Sequence, residues 1–250
     1  MLFCIKTASR LVDLIYILTT KENRKLIEKL KSKTAEFISV HYIPSYPPLT
    51  LRGGKKRTPP LNIRGGGGVI LDIDCILVGP GLGISAATKK LMAQVLVAGK
   101  KAVLDADALN VLDDKLKRLL SPLHILTPHR GEFQRLFKLP ANQHNTKLMA
   151  KKYHCTIVLK GPVDVIAQPS GKIFLNKTGN AGMTKGGTGD VLAGLIAGLY
   201  ATNDAFTSAA AGTYVNGAAG DDLSKKVGTF YDAEDLMNQI PSTLHHLHNS

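Results

Sequence analysis

Tryptophan is absent from this 250-residue chain, and phenylalanine and tyrosine occur only seven times each. So low an aromatic content argues against the wide stacking platforms by which proteins hold single-stranded nucleic acid. Cysteine is scarce too. Cys4, Cys75 and Cys155 are odd in number and widely spaced, with no CxxC pair. That pattern argues against a disulfide framework or a zinc site and makes a reducing cytoplasm the default expectation. No apolar run approaches the roughly 18–20 residues of a membrane span. The apolar stretch Leu11–Leu18 is short, holds Asp13 and reads as a buried strand. The first residues lack the Arg- and Ser-rich, acid-poor pattern of a transit peptide, and no small-residue cleavage site follows an apolar core.

What is plentiful is positive charge. The net charge is +13, and it is uneven: residues 1–70 hold 13 Lys or Arg against 4 Asp or Glu, a balance of +9, and the remainder supplies +4. A solvated basic face accounts for this, and attraction of anionic nucleotides is the functional alternative. No nucleic-acid-binding motif accompanies the charge. Hydrophobic residues at 44% and charged residues at 20% are ordinary for a globular protein, and the length suits one α/β domain over residues 1–250.

Along the chain, Leu11–Leu18, a helix over Glu22–Ser32 and Glu36–His41 make a strand–helix–strand start. Residues 44–68 hold five prolines and six glycines with Lys55-Lys56-Arg57, and read as an irregular loop. Gly65–Gly68 lacks the surroundings of a phosphate-binding motif. From Asp74 the pattern becomes regular. Strands are expected at Cys75–Val78, Lys101–Leu104, Leu123–Leu126, Thr156–Leu159, Val163–Ala167 and Lys172–Leu175, the last two joined by a hairpin turn. Helices are expected from the Ser85 cap to about Val97, and over Glu132–Phe137, Asn142–Tyr153, Gly189–Leu199, Ala205–Ala219 and Asp232–Gln239. Strands alternating with helices predict a mostly parallel sheet covered on both faces.

The strongest chemical signal is the run Asn180-Ala181-Gly182-Met183-Thr184-Lys185-Gly186-Gly187-Thr188-Gly189-Asp190 opening an apolar helix. Glycines let backbone N–H groups approach phosphate oxygens, and the helix N-terminus adds unpaired donors and partial positive charge. Asp190, in the first turn, is suited to accept a proton from a hydroxyl while that cradle neutralises a transferring phosphoryl group. The alternative is a glycine-rich helix entry with Asp190 as a simple cap.

Four further loops follow strands, where ligands gather in open α/β sheets. Gly79-Pro80-Gly81-Leu82-Gly83 is a ligand-approach turn or only a tight turn. Asp105 and Asp107 bind Mg²⁺ or orient a substrate, or Asp107 caps the short helix that follows. In Thr127-Pro128-His129-Arg130-Gly131-Glu132, His129 is a candidate substrate contact and Glu132 a candidate holder of a Mg²⁺ water, or else half of a capping arrangement. Lys160-Gly161-Pro162-Val163-Asp164 offers a lysine to a phosphate and a loop to a nucleotide, or is an ordinary strand connection.

Taken together, Gly79–Gly83, Leu104–Leu109, Leu126–Glu132, Lys160–Asp164 and Asn180–Gly194 resemble the ADP/ATP-dependent NAD(P)H-hydrate dehydratase family, over about residues 8–240. The resemblance implies an α/β, ribokinase-like fold. It implies an activity in which a nucleotide phosphorylates the ring hydroxyl of hydrated NADH or NADPH, after which phosphate is eliminated. Asp190 would be the base at the substrate, with Gly83 and His129 lining the hydrate site. The nucleotide would meet Lys160, Gly161, Pro162, Val163, Asp164, Asn180, Gly186, Gly187, Thr188 and Gly189, and Glu132 would hold Mg²⁺ through water. Thr188, where eukaryotic members tend to have Gln, favours ADP as donor, with ATP the alternative. The resemblance also implies a homo-oligomer, typically a tetramer, and an NAD(P)H-hydrate epimerase as functional partner. The family's first β-α unit is not matched, and Asn216 stands where many members have His. A ribokinase-like vitamin-precursor kinase and an inactive nucleotide-binding remnant are the competing readings.

Overall fold

The structure, a computed structural model, describes residues 2–11, 15–19, 38–42 and 73–249. Near the start, helix α1 (Leu2–Ala8) precedes strands β1 (Ile15–Thr19) and β2 (Ile38–Tyr42), which pair in parallel with Ile15 opposite Ile38. The two strands of the expected start are thus present and parallel. Leu11 belongs to the turn after α1, and the strand starts at Ile15 rather than at Leu11. The expected helix over 22–32 and the loop over 44–68 lie outside the described residues.

The body of the fold is a six-stranded sheet in sequential order: β3 (Cys75–Val78), β4 (Lys101–Leu104), β5 (His124–Leu126), β6 (Thr156–Leu159), β7 (Asp164–Ala167) and β8 (Ile173–Asn176). The first four run parallel; β7 returns antiparallel to β6, and β8, antiparallel to β7, forms the edge. Alternation along the strands sorts their side chains between two cores. Ala102, Leu104, Leu126, Ile157, Leu159, Val165 and Ala167 face one core, with Met92, Phe133 and Met149 from helices. Val103, Ile125, Val158 and Ile166 face the other, with Leu192, Ile196 and Phe206. The sheet is therefore covered on both faces, and its central strands read as continuous apolar runs for that reason.

Helices α2 (Ala86–Val97), α3 (Asp107–Asn110), α4 (Asp114–Lys117), α5 (Arg130–Phe137) and α6 (Gln143–Tyr153) follow the parallel strands. Their entries are chemically marked: Ser85 Oγ accepts from Thr88 N at 3.1 Å, and Asn142 Oδ1 from Asn145 N at 2.8 Å. On the opposite face, α7 (Thr188–Thr202), α8 (Ala205–Val227) and α9 (Ala233–His248) build a third cluster around Leu195, Tyr231, Leu236 and Ile240. Small residues on α7 let its neighbours come close. A Cβ on Gly194 would lie 2.5 Å from the backbone oxygen of Cys4 on α1, and one on Gly212 of α8 would lie 2.6 Å from Ile196. Both α8 and α9 extend well past their expected ends, to Val227 and His248. Among the described residues no helix is long and apolar enough to cross a membrane.

Candidate functional site

Because β3 to β6 are parallel, the four loops that follow them leave the same edge of the sheet. Specific contacts then join them. Gly83, at φ +74, is pinned on both sides: its N–H donates to Asp107 Oδ2 at 2.7 Å, and its carbonyl accepts from Thr88 Oγ1 at 2.7 Å. Nothing lies within 4 Å of where a Cβ on Gly83 would sit, so the backbone is fixed and open on that side. Asp107 does not cap α3, as one reading of the sequence had it. The N-cap is Ala106, without a side-chain bond, and Asp107 is spent on Gly83.

Asp105 turns the other way. Its buried carboxylate accepts from Thr127 Oγ1 and from Lys160 Nζ, both at 2.8 Å on the same oxygen. Between the two aspartates, Ala106 takes φ +48 and ψ −118, a conformation L residues rarely adopt, and this sends the carboxylates to opposite sides. Lys160 is joined to the neighbouring loop as well, its N–H donating to Pro128 O at 2.9 Å. Its ammonium lies 3.5 Å from the Cβ position of Gly189, in the first turn of α7. The 105–107 backbone thus links two sets of contacts, Asp107 with Gly83 and Asp105 with Lys160, whose ammonium reaches Gly189.

His129 and Glu132 form a capping box on α5. Gly131 N and Glu132 N approach His129 Nδ1 at 3.0 and 3.4 Å, and His129 N donates to Glu132 Oε2 at 2.8 Å. With Nδ1 accepting, the bonding pattern assigns the ring proton to Nε2, so the exposed edge of His129 offers a donor. Glu132 is buried; its second oxygen lies 3.6 Å from His129 Nε2. The capping role that the sequence left open for Glu132 is therefore real. Among the described residues no three His, Cys, Asp or Glu side chains gather as a metal cage. Mg²⁺ does not need one, because it keeps several waters and takes one or two carboxylates beside substrate phosphates. The single carboxylate of Glu132 at this rim fits such an outer role.

The 160–164 loop closes the β6–β7 hairpin. Gly161, Pro162 and Val163 are exposed, and Asp164 Oδ1 holds the Gly161 N–H at 3.0 Å. Burial pushes the Asp164 carboxyl above the usual carboxylate range, against the hydrogen bonds from Asn176 and Gly161 that favour its charge. Asn176, itself buried, donates through Nδ2 to Asp164 Oδ2 at 3.0 Å and to Thr213 O at 3.2 Å.

The glycine-rich run folds as a 3₁₀ turn (Ala181–Thr184) entering α7. Asn180 is its cap: Oδ1 accepts from Gly182 N at 2.9 Å and from Tyr231 Oη at 2.8 Å. Asp221 on α8 takes the Gly179 N–H at 2.9 Å and Asn180 Nδ2 at 3.1 Å. Gly187, at φ +97, is the N-cap, with Phe3 and Ala233 2.9 Å from the Cβ it lacks; Gly186 has open space instead. Thr188 is buried, and its hydroxyl faces Met183 O at 2.7 Å and Lys185 O at 2.9 Å, so its side chain braces the turn. Lys185 is turned away to Thr229 O at 2.7 Å and to Tyr231 O. Asp190 stands in the first turn of α7, half-buried. The Cys4 thiol of α1 lies close enough to be raised by its charge, second to burial.

The structure thus gathers Gly83, His129, Lys160–Asp164 and Gly186–Asp190 on one rim. Asn176 and Asp221 were missed as parts of it, and Asp105, a candidate for Mg²⁺ or substrate, is instead paired with Lys160. The signal for Asp221 was present in the polar end of α8, which the sequence reading cut off at Ala219.

A mostly parallel sheet with a glycine-rich turn opening a helix at its rim is the frame of ribokinase-like small-molecule phosphotransferases. A solved ribokinase-like superfamily protein from Enterococcus faecalis superposes with a TM-score of 0.73 at 25% identity, covering 98% of this chain and 82% of its own. The chain belongs to the NAD(P)H-hydrate dehydratase family, whose model matches residues 68–242. It is 44% identical over 172 residues to the bifunctional NAD(P)H-hydrate repair enzyme Nnr of Methanocaldococcus jannaschii, covering 68% of this chain and 33% of that one. The solved ADP/ATP-dependent NAD(P)H-hydrate dehydratase of Bacillus subtilis, co-crystallised with ATP/Mg²⁺, shares 26% identity and a TM-score of 0.72, covering 98% of this chain and 86% of its own. The chain spans between 33% and 41% of the length of several curated bifunctional relatives it matches.

Proposed function

We propose that this chain, as one ribokinase-like domain, dehydrates the S epimer of hydrated NADH or NADPH at the expense of ADP or ATP. The observation that carries the reading is the two linked sets of contacts joining the Gly83 loop to the Gly189–Asp190 helix entry, in a chain of the dehydratase family. Gly83 and the Nε2 donor of His129 orient the hydrate. Asp190 accepts the proton of the ring hydroxyl as its oxygen bonds to the terminal phosphorus of the donor, whose bridging bond breaks to release the shortened nucleotide. Loss of a ring proton and of the phosphate from the phosphorylated hydrate then restores the nicotinamide double bond. The donor's phosphates lie against the Gly186–Gly189 amides and the α7 N-terminus, where dipole and N–H groups favour anions. Lys160–Asp164 wraps the nucleotide, with Asn180 holding the turn from behind. Mg²⁺, when bound, neutralises phosphate charge, with Glu132 holding one of its waters. An NAD(P)H-hydrate epimerase is the functional partner, the chain assembles as a homotetramer, and the setting is the cytoplasm.

The test is incubation with (S)-NADH hydrate, Mg²⁺ and either ADP or ATP, following the return of reduced-nicotinamide absorbance. Asp190→Asn is expected to bind nucleotide and to lose turnover by a factor of about 10²–10⁴, the usual worth of general base catalysis. A stable phosphorylated product would mark a small-molecule kinase instead. No turnover with nucleotide bound would remove the enzymatic claim.

A further inference from the structure

We infer that Asp105 is a positioning residue that holds the Lys160 ammonium over the first turn of α7, where the two together form the seat for the donor's phosphate oxygens. The inference rests on the nucleotide site proposed above and gives Asp105 a role there that the proposed reaction leaves unassigned.

The geometry is specific. One oxygen of Asp105 receives both Thr127 Oγ1 and Lys160 Nζ at 2.8 Å, and the two side chains of the ion pair are 3% and 18% exposed. A buried carboxylate is stable only if paired, so Asp105 cannot let the ammonium go without cost. Thr127 fixes the carboxylate from a third side, its hydroxyl also 3.2 Å from Leu104 O. The backbone is held equally hard. Asp105 N donates to Val78 O at 3.1 Å, Gly79 leaves out the Cβ that would meet Asp105 O, and Ala106 is strained at φ +48.

The direction of the ammonium shows what this rigidity is for. Lys160 Nζ sits 3.5 Å from the Cβ position of Gly189. A helix N-terminus carries partial positive charge, and a cation there is unfavourable. Asp105 offsets that cost by pairing with the ammonium, and Asp190 adds a carboxylate in the same turn. Lys160 Nζ and the N–H groups that open α7 then face one volume beside Gly189. An anion arriving there gains contacts from both. The chemistry fits phosphoryl oxygens, since the Gly186–Gly189 amides line the same turn. Without Asp105, the four-carbon stem of Lys160 would sample many positions, and the phosphate would have to order it on binding.

The test is a double-mutant cycle of Asp105→Asn and Lys160→Met, read by calorimetric affinity for ADP and for adenosine, with thermal denaturation as the check on folding. Asp105→Asn is expected to weaken ADP about tenfold and adenosine less than about twofold, because only ADP carries the phosphates. In the Lys160→Met background it is expected to weaken ADP no further. If Asp105→Asn does not fold, Thr127→Val loosens the same carboxylate and is expected to weaken ADP about threefold while sparing adenosine. Equal losses for ADP and adenosine, full additivity with Lys160→Met, or a wild-type chain that binds adenosine as tightly as ADP would overturn the inference. None of these readouts uses the hydrate, so a failed turnover assay with this contrast intact would sink the dehydratase reading alone.

Discussion

Replacing Gly79 with alanine puts a methyl group where the end of β3 meets the end of β4. At φ +131 the glycine has a backbone that an L residue adopts only under strain, at a cost of about 1–3 kcal/mol. The added Cβ would lie 1.7 Å from Asp105 O, 2.8 Å from Asp105 C and 3.0 Å from Ala108 Cβ. The Asp105 carbonyl must therefore retreat by roughly an ångström and a half to reach ordinary contact. That carbonyl accepts from Ala108 N at 3.1 Å, so the retreat also pulls at the first turn of α3. Overpacking of this kind costs about 1–3 kcal/mol in addition. We expect Gly79→Ala to lose about 4 kcal/mol of unfolding free energy in urea, at unchanged slope, and to weaken ADP binding as Asp105 and Lys160 move together. A loss under about 1 kcal/mol with ADP affinity intact would refute the reasoning, since it would mean that the β3–β4 junction yields freely.

Gly194→Ala is expected to pry α1 from α7, because its Cβ would meet Cys4 backbone atoms at 2.5 to 3.0 Å. Faster labelling of the buried Cys4 thiol, which burial holds in its unreactive protonated form, checks this; an unchanged rate would show that α1 adapts. His124 is buried, and burial pushes its pKa down to about 4 from 6.5. The unfolded chain takes up that proton first as pH falls, so stability is expected to drop between pH about 6.5 and about 4 by roughly 3 kcal/mol and then level off. His124→Asn, which keeps an acceptor for the Ser121 N–H, is expected to remove that slope in urea titrations across the window; a slope that persists would assign it to other groups.

Much of the frame was legible because strands and caps are local properties. Thr156–Leu159 and Lys101–Leu104 are apolar runs with the same bounds in sequence and structure, and Ser85 and Asn142 announce their helices by their own hydrogen bonds. Helix ends misled where glycine did packing work. The expected end of α8 at Ala219 fell just before Gly220, yet that glycine gives room to Met183, as Gly212 and Gly217 do to Ile196 and Thr178, and α8 runs on to Val227. The expected end of α9 at Gln239 fell just before Pro241, which the helix accommodates in its interior.

The sequence by itself determined the chemistry at each loop and the order of the loops, because glycine turns, caps and alternating strands depend on residues near one another in the chain. Only the tertiary structure decided which charges meet. Asp105 and Asp107 are two residues apart with the same side chain, yet one is buried against Lys160 and the other holds Gly83. That difference arises from the strained φ of Ala106 and from partners 55 and 24 positions away. No local pattern encodes such pairings, because they depend on where the parallel strands end side by side.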